Sequence, residues 1–146
     1  MSEPAYVVEN ERELARLRAF VGSASDEDLA TPMPEGWTVG SVLAHAAFWD
    51  GRVFAIMEAR DGGMEPPPYH EEAVDWINDA AKPFLLALGP REAAELAVRI
   101  AERTDARIAA EPVDRVLAEA ETWLNPERWD HRREHLDEIH EALGRE

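Results

Sequence analysis

The sequence contains no cysteine, and this absence excludes two classes of structure. A chain without thiols forms no disulfide bonds and no thiolate metal sites, so any bound metal must rely on histidine and carboxylate ligands. A reaction that needs a thiol must likewise take that thiol from a separate molecule.

Positive charge is scarce: Lys82 is the only lysine, and 31 acidic residues against 15 basic ones give a formal net charge of -16. Such a chain repels nucleic-acid phosphates and anionic lipid surfaces, so we expect neither nucleic-acid nor membrane partners. No apolar run approaches the roughly 18 residues of a membrane span. Residues 1–6 also lack the basic and apolar regions of a signal peptide. We therefore expect a soluble, cytoplasmic protein.

The apolar residues recur with helical spacing and nowhere alternate convincingly as in a strand. This spacing predicts helices at about 8–21 and 91–110, a helix that follows Thr38 as its N-cap and reaches about residue 60, and a helical region from about 71 that Pro83 kinks or breaks. In the last helix Asn125 is expected to be the N-cap and Pro126 the first residue, and the stretch before it stays unassigned. A single domain over residues 1–146 with four sizeable helices predicts an all-α four-helix bundle.

Three histidines are candidate metal ligands. His131 and His135 are four residues apart on the last predicted helix, so their rings point the same way. His45 lies at the margin of an apolar stripe on the second long helix. Three imidazoles on two facing helices would leave a metal with an open coordination position, as catalytic zinc sites do. Alternatively, each ring is an ordinary histidine with a carboxylate or carbonyl partner. His70 and His140 are interpreted as solvated.

Other side chains offer weaker signals. The large aromatic residues are expected to lie in the core or in a pocket wall; they are Trp49, Trp76, Trp123 and Trp129. Asp50 and Arg52, which follow Trp49, are interpreted as surface residues. The sequence has neither a nucleophile elbow nor a glycine-rich phosphate loop, and the zinc-protease motif is missing because no Glu follows His131 directly.

Two segments resemble signatures of the DinB/YfiT-like superfamily. Residues 36–50 read G-W-T-V-G-S-V-L-A-H-A-A-F-W-D, similar to the family's G-W-[ST]-V-x-[DE]-[VL]-L-x-H-[LIV]-x-x-W-[ED] pattern. His131 and His135, with Glu134 between them, resemble its H-x-x-E-H element. Asn78 matches an asparagine that relatives often carry on the third helix. Gly40 and Ser41 depart from the pattern, and relatives often have a longer loop after residue 110.

The resemblance implies a four-helix bundle in which His45, His131 and His135 bind one divalent metal ion, either zinc, nickel or iron. The superfamily includes thiol-dependent transferases, mycothiol-dependent maleylpyruvate isomerases and ClbS/DfsB-type bundles. By analogy, the metal would bind an exogenous low-molecular-weight thiol, which then attacks a small electrophile. An anionic thiol would need local positive charge, for which Arg52 and Arg132 are candidates. A homodimer is also expected from the resemblance.

Three residues are expected to contact the small-molecule substrate: Trp49 and Trp129, which lie close to the histidines in sequence, and Asn78. Two other functions remain open. One is a metal-hydroxide hydrolase with Glu134 or Asp50 as the base. The other is a non-catalytic bundle that binds a toxic small molecule or a partner helix, with structural histidines. Metal content separates this last class from both kinds of enzyme, and thiol dependence separates the two enzymes from each other.

Overall fold

Seven α-helices account for most of residues 2–145, the part of the chain that the computed structural model describes. They are α1 (Ala5–Ser23), α2 (Asp26–Ala30), α3 (Val39–Asp61), α4 (Val74–Ala87), α5 (Pro90–Ala110), α6 (Val113–Glu119) and α7 (Arg128–Ala142). Short 3₁₀ turns at Pro34–Gly36 and Glu71–Ala73 precede α3 and α4. Within the described residues there is no β-strand, only one bridge between Pro32 and Thr38.

The four long helices α1, α3, α5 and α7 pack into a bundle, which confirms the predicted fold class. Helix α3 lies along α5, and α7 lies against α1 and α3. One apolar cluster fills the centre of the bundle and includes Leu17, Leu43, Ala97 and Leu136. A second cluster lies towards α6 and contains Trp123, as expected for a core tryptophan. In this part of the chain no helix combines the length and apolarity that a membrane crossing requires.

The start of α3 explains both departures from the family signature. A Cβ atom on Gly40 would lie 2.4 Å from the carbonyl oxygen of Pro90, so the contact between α3 and α5 leaves room only for glycine. Ser41 completes a capping box with the predicted N-cap Thr38. The Thr38 Oγ1 accepts from the Ser41 N–H at 3.1 Å, and the Ser41 Oγ accepts from the Thr38 N–H at 2.8 Å.

Two expectations about helix ends were wrong. Helix α7 begins at Arg128, not at Pro126, because the Asn125 side chain accepts from the Glu127 N–H at 3.1 Å and closes a local turn before the helix. Pro83 does not break α4, which runs through it. A proline inside a helix removes one backbone hydrogen-bond donor, and Pro83 does so at an exposed position of α4. The unassigned stretch before residue 125 contains α6.

Helix α4 presents aromatic side chains to solvent. Trp76 is 63% exposed and Phe84 is 78% exposed, so the expectation of a core or pocket position for Trp76 was wrong. The helical region predicted from about residue 71 is present as α4, which has one apolar face. Only part of that face packs on α3, and the rest has no cover among residues 2–145.

Candidate metal centre

Three histidines from two helices converge inside the bundle. His45 comes from α3, and His131 and His135 come from successive turns of α7. One ring nitrogen of each lies within 4.8 Å of the other two. The Nε2 atoms of His131 and His135 are 2.9 Å apart, and the His45 ring centroid lies 5.4 and 5.1 Å from the centroids of these two rings. We refer to these three residues as the histidine cluster.

Burial keeps two of these rings uncharged. Desolvation, together with the charge of neighbouring His135, lowers the pKa of His45 to about 4. Desolvation also lowers the pKa of His131 to about 3, with further contributions from His135, His45 and two arginines of α7. Both rings are therefore neutral at pH 7, which is the form of imidazole that binds a metal.

Metal-free protein is expected to lose stability as the pH falls from about 6.5 towards 4. In this window the unfolded chain protonates its histidines, with an ordinary pKa of 6.5, whereas folded His45 and His131 stay neutral. The unfolded state then binds more protons, so the free energy of unfolding rises with pH. Urea unfolding of metal-free protein at several pH values measures this slope.

Two variants test the origin of the slope. His131→Gln removes one of the depressed groups and should make the slope shallower than in the wild type. His70→Gln is the matched control, because the His70 side chain is 61% exposed, and it should retain the wild-type slope. Identical slopes for the wild type and His131→Gln would contradict the assignment of this pH dependence to the cluster.

The donor set fits a nitrogen-preferring divalent cation. Tetrahedral zinc with bonds of 2.0–2.1 Å needs ligand nitrogens about 3.3 Å apart, and the separations in the cluster, from 2.9 Å to within 4.8 Å, bracket that value. The Nδ1 atom of His135 is buried without a hydrogen-bond partner among the described residues. The Glu138 carboxylate lies 3.6 Å from it, beyond hydrogen-bond distance; a carboxylate bonded at this nitrogen commonly orients a ligating imidazole.

A cavity of about 530 Å³ opens on one side of the histidine cluster; here it is called the larger cavity. Its volume falls in the range of small-molecule sites. It is lined by His45, Trp49, Arg52, Val53, Tyr69, Val74, Asn78, Ala120, Thr122, Trp123, Leu124, Asn125, Arg128 and His131. The Trp49 Nε1–H donates to the Asn78 Oδ1 at 2.8 Å, which joins α3 to α4 at the cavity wall.

A second space of about 460 Å³, the smaller cavity, also borders the histidine cluster. It is lined by Met33, Pro34, Glu35, Trp37, Val42, His45, Asp75, Asn78, Asp79, Lys82, His135 and Glu138. His45 and Asn78 line both cavities, whereas His131 lines the larger cavity and His135 the smaller one. The histidine cluster therefore borders both cavities.

Trp129 lies apart from the other two residues expected to contact substrate. It is not among the residues that line the larger cavity. Its backbone N–H donates to Asn10 at 2.9 Å, and the Arg133 guanidinium lies 4.6 Å from the centre of its ring. Trp49 and Asn78 line the cavity, and Trp129 packs towards α1.

Four buried charged residues of α3, α5 and α7 form a network, which we call the ion-pair network; its members are Asp50, Asp105, Arg128 and Arg132. Asp50 accepts from the Arg128 Nε at 2.7 Å and lies 3.3 Å from an Arg132 nitrogen. Arg132 also donates to both Asp105 oxygens, at 2.9 and 3.0 Å. The expected surface position of Asp50 was wrong, because two arginines neutralise its charge inside the bundle.

Arg128 is the functional candidate that sequence reasoning missed. It lines the larger cavity beside His131, although it is buried. Its signal was its position three residues before His131, which places the two side chains on one face of α7. Arg52 also lines this cavity, so one candidate for local positive charge lies where an anionic thiol would need it. Arg132, the other candidate, is held by Asp105 instead.

The remaining histidines lie outside the cluster. His70 is exposed, as expected. His140 is half-buried rather than solvated, since its ring packs on Phe20 at 5.5 Å and its Nδ1–H donates to the Leu136 carbonyl at 2.6 Å.

A comparison with protein families identifies what this bundle is related to. The profile described as the mycothiol maleylpyruvate isomerase N-terminal domain matches residues 11–142. The chain belongs to this family. Its members share the DinB/YfiT-like four-helix bundle, so the resemblance drawn from the two sequence signatures is confirmed. No curated protein and no solved structure gives a significant match to the chain.

Proposed function

We propose that the chain is a thiol-dependent transferase or isomerase that binds one divalent metal ion through His45, His131 and His135. The observation that carries this proposal is the convergence of these imidazoles at the boundary of two cavities, with no carboxylate in the cluster. Membership of a family described by a mycothiol-dependent isomerase supports it. Zinc, nickel and iron all suit the donor set.

A divalent ion held by three neutral imidazoles would act as a Lewis acid that favours the thiolate form of a bound thiol. The chain has no cysteine, so the thiol is exogenous. Mycothiol, named in the family description, is the first to test.

The residues around the cluster have separate tasks. Burial keeps His45 and His131 neutral, so they do not repel a cation. Trp49 holds the Asn78 carbonyl oxygen, and the Asn78 amide nitrogen makes no hydrogen bond within residues 2–145. That amide is therefore available to donate to a reactant at the boundary of the two cavities. Trp49 and Trp123 give the larger cavity apolar walls against which a small electrophile can pack.

Neither carboxylate considered as a hydrolytic base is well placed. Glu134 is exposed and lines neither cavity. Asp50 is engaged by two arginines in the ion-pair network. A general base must reach the proton that it abstracts, so these positions favour thiol chemistry over a metal-hydroxide hydrolase.

A homodimer stays a prediction, which light scattering of the purified protein would test.

Elemental analysis of untagged protein, purified without chelator, is the first test of the proposal. About one zinc, nickel or iron per chain is expected. No metal, even after reconstitution, would contradict the proposal and favour a non-catalytic binding bundle.

Thiol binding is tested on protein loaded with Co²⁺, whose absorption reports its ligands. Mycothiol should add a sulfur-to-metal band to the spectrum, while its S-methyl derivative, as the control, should not. If no thiol changes the absorption spectrum of the Co²⁺-loaded protein, the result would favour the hydrolase instead.

A further inference from the structure

The side chains that line the larger cavity are basic but not acidic, the reverse of the balance in the whole chain. Of 146 residues, 31 are acidic, yet none of the residues lining this cavity is Asp or Glu. Its charged residues are Arg52 and Arg128. The smaller cavity follows the composition of the chain, with four acidic residues and Lys82. The larger cavity is therefore suited to an anion in a protein that otherwise repels one.

Only one nitrogen of the Arg128 guanidinium, Nε, makes a hydrogen bond within the described residues. Its side chain is 6% exposed, and its Nε donates to the Asp50 Oδ1 at 2.7 Å. Its two terminal nitrogens make no hydrogen bond within the described residues, although a guanidinium carries five N–H donors. A buried arginine with its terminal nitrogens unused beside a cavity has the donor pair that a carboxylate accepts.

The surroundings indicate an organic acid rather than a bare ion. Arg52, the second positive group, lies with its guanidinium carbon 5.7 Å from the centre of the Trp49 ring. Trp49, Tyr69 and Trp123 contribute aromatic walls to the same cavity. A flat apolar body with one carboxylate matches both the walls and the two arginines.

We propose that the larger cavity contains a carboxylate-binding subsite, in which Arg128 anchors the carboxylate of a small organic acid and Arg52 is a second contact. This subsite deepens the proposed function, on which it rests for the role of the bound acid as a reactant. The carboxylate belongs either to the electrophile or to the thiol.

The test uses two probes of equal size on metal-free protein, benzoate and its uncharged analogue benzamide, titrated by calorimetry. Benzoate should bind at least tenfold more tightly than benzamide. Arg52→Gln should weaken benzoate binding severalfold. Arg99→Gln is the control, because Arg99 is exposed on α5 and lines neither cavity, and it should bind benzoate like the wild type.

Arg128 is tested by two substitutions because it also belongs to the ion-pair network. Arg128→Gln should weaken benzoate binding by tenfold or more while the helical circular dichroism is retained. If that variant does not fold, Arg128→Lys keeps the charge but loses the paired donors, and it should bind benzoate severalfold more weakly than the wild type. Equal binding of benzoate and benzamide, no binding of either, or unchanged benzoate affinity in both Arg52→Gln and Arg128→Lys would overturn the subsite.

Competition distinguishes the two sources of the carboxylate. If glutathione, a thiol with carboxylates, displaces benzoate from wild-type protein, the subsite takes the thiol. If both bind together, it takes the electrophile, and either result supports the subsite. Metal content is measured on a separate sample, so failure of the subsite and failure of the metal proposal are seen independently.

Discussion

The His131→Ala variant is expected to lose its metal. Its metal content should fall from about one ion per chain to nearly none, because only two of the three converging imidazoles remain. Loss of even an outer partner of a ligand costs about 10–100-fold in metal affinity, so loss of the ligand itself should cost more than about 100-fold. Elemental analysis and competition with a metal indicator measure the two quantities.

His140→Ala is the matched control for this variant. His140 lies on the same helix and is also half-buried, but its ring packs on Phe20 and lies outside the histidine cluster. It should retain full metal content despite some loss of stability. If His131→Ala keeps its metal, or if both variants lose it equally, the ligand assignment is wrong.

Replacing Arg132 by methionine should destabilise the protein by about 3–5 kcal/mol, the usual cost of removing one partner of a buried ion pair. Arg132 is 3% exposed and satisfies both oxygens of Asp105, which is 7% exposed. Burial already raises the pKa of Asp105 despite these two bonds. Without Arg132 the buried carboxylate lacks its main partner, and urea unfolding should show the loss.

Three comparisons test that explanation. The loss should be smaller at pH 5 than at pH 8, because the orphaned Asp105 can protonate and shed its charge. The double variant Arg132→Met with Asp105→Leu should recover much of the loss, since an apolar pair can replace a buried ion pair. Arg12→Ala, which breaks an exposed pair with Glu9, should cost no more than about 1 kcal/mol. A loss for Arg132→Met as small as for Arg12→Ala would contradict the network's role.

Local patterns predicted the helices and the histidine cluster because both depend on short spacings. The four-residue interval between His131 and His135 fixes their common side, and the signature around His45 supplied the third candidate ligand. Helix α3 began at the predicted residue because Thr38 and Ser41 cap it within one turn. Such features need no knowledge of which helices meet.

Partners that are distant in sequence could not be predicted in this way. Asp50 and Arg132 look like ordinary surface charges until α3 and α7 pack together, because each neutralises a charge 82 residues away. Trp76 shows the opposite error: an apolar face was visible, but nothing in its spacing tells whether another helix covers it. Burial of both kinds of residue is decided by tertiary packing rather than by periodicity.

The two cavities that border the histidine cluster differ in the charge of their lining side chains. One lining holds two arginines and no acidic residue, and the other is mainly acidic. On the proposed function, an anionic reactant would be attracted to the cavity that holds Arg52 and Arg128 and repelled from the cavity that holds Asp75 and Asp79. A reactant bound in one cavity would leave the other cavity free. On the proposed function, two reactants of different charge would therefore each bind in the cavity that suits them, next to the same three imidazoles.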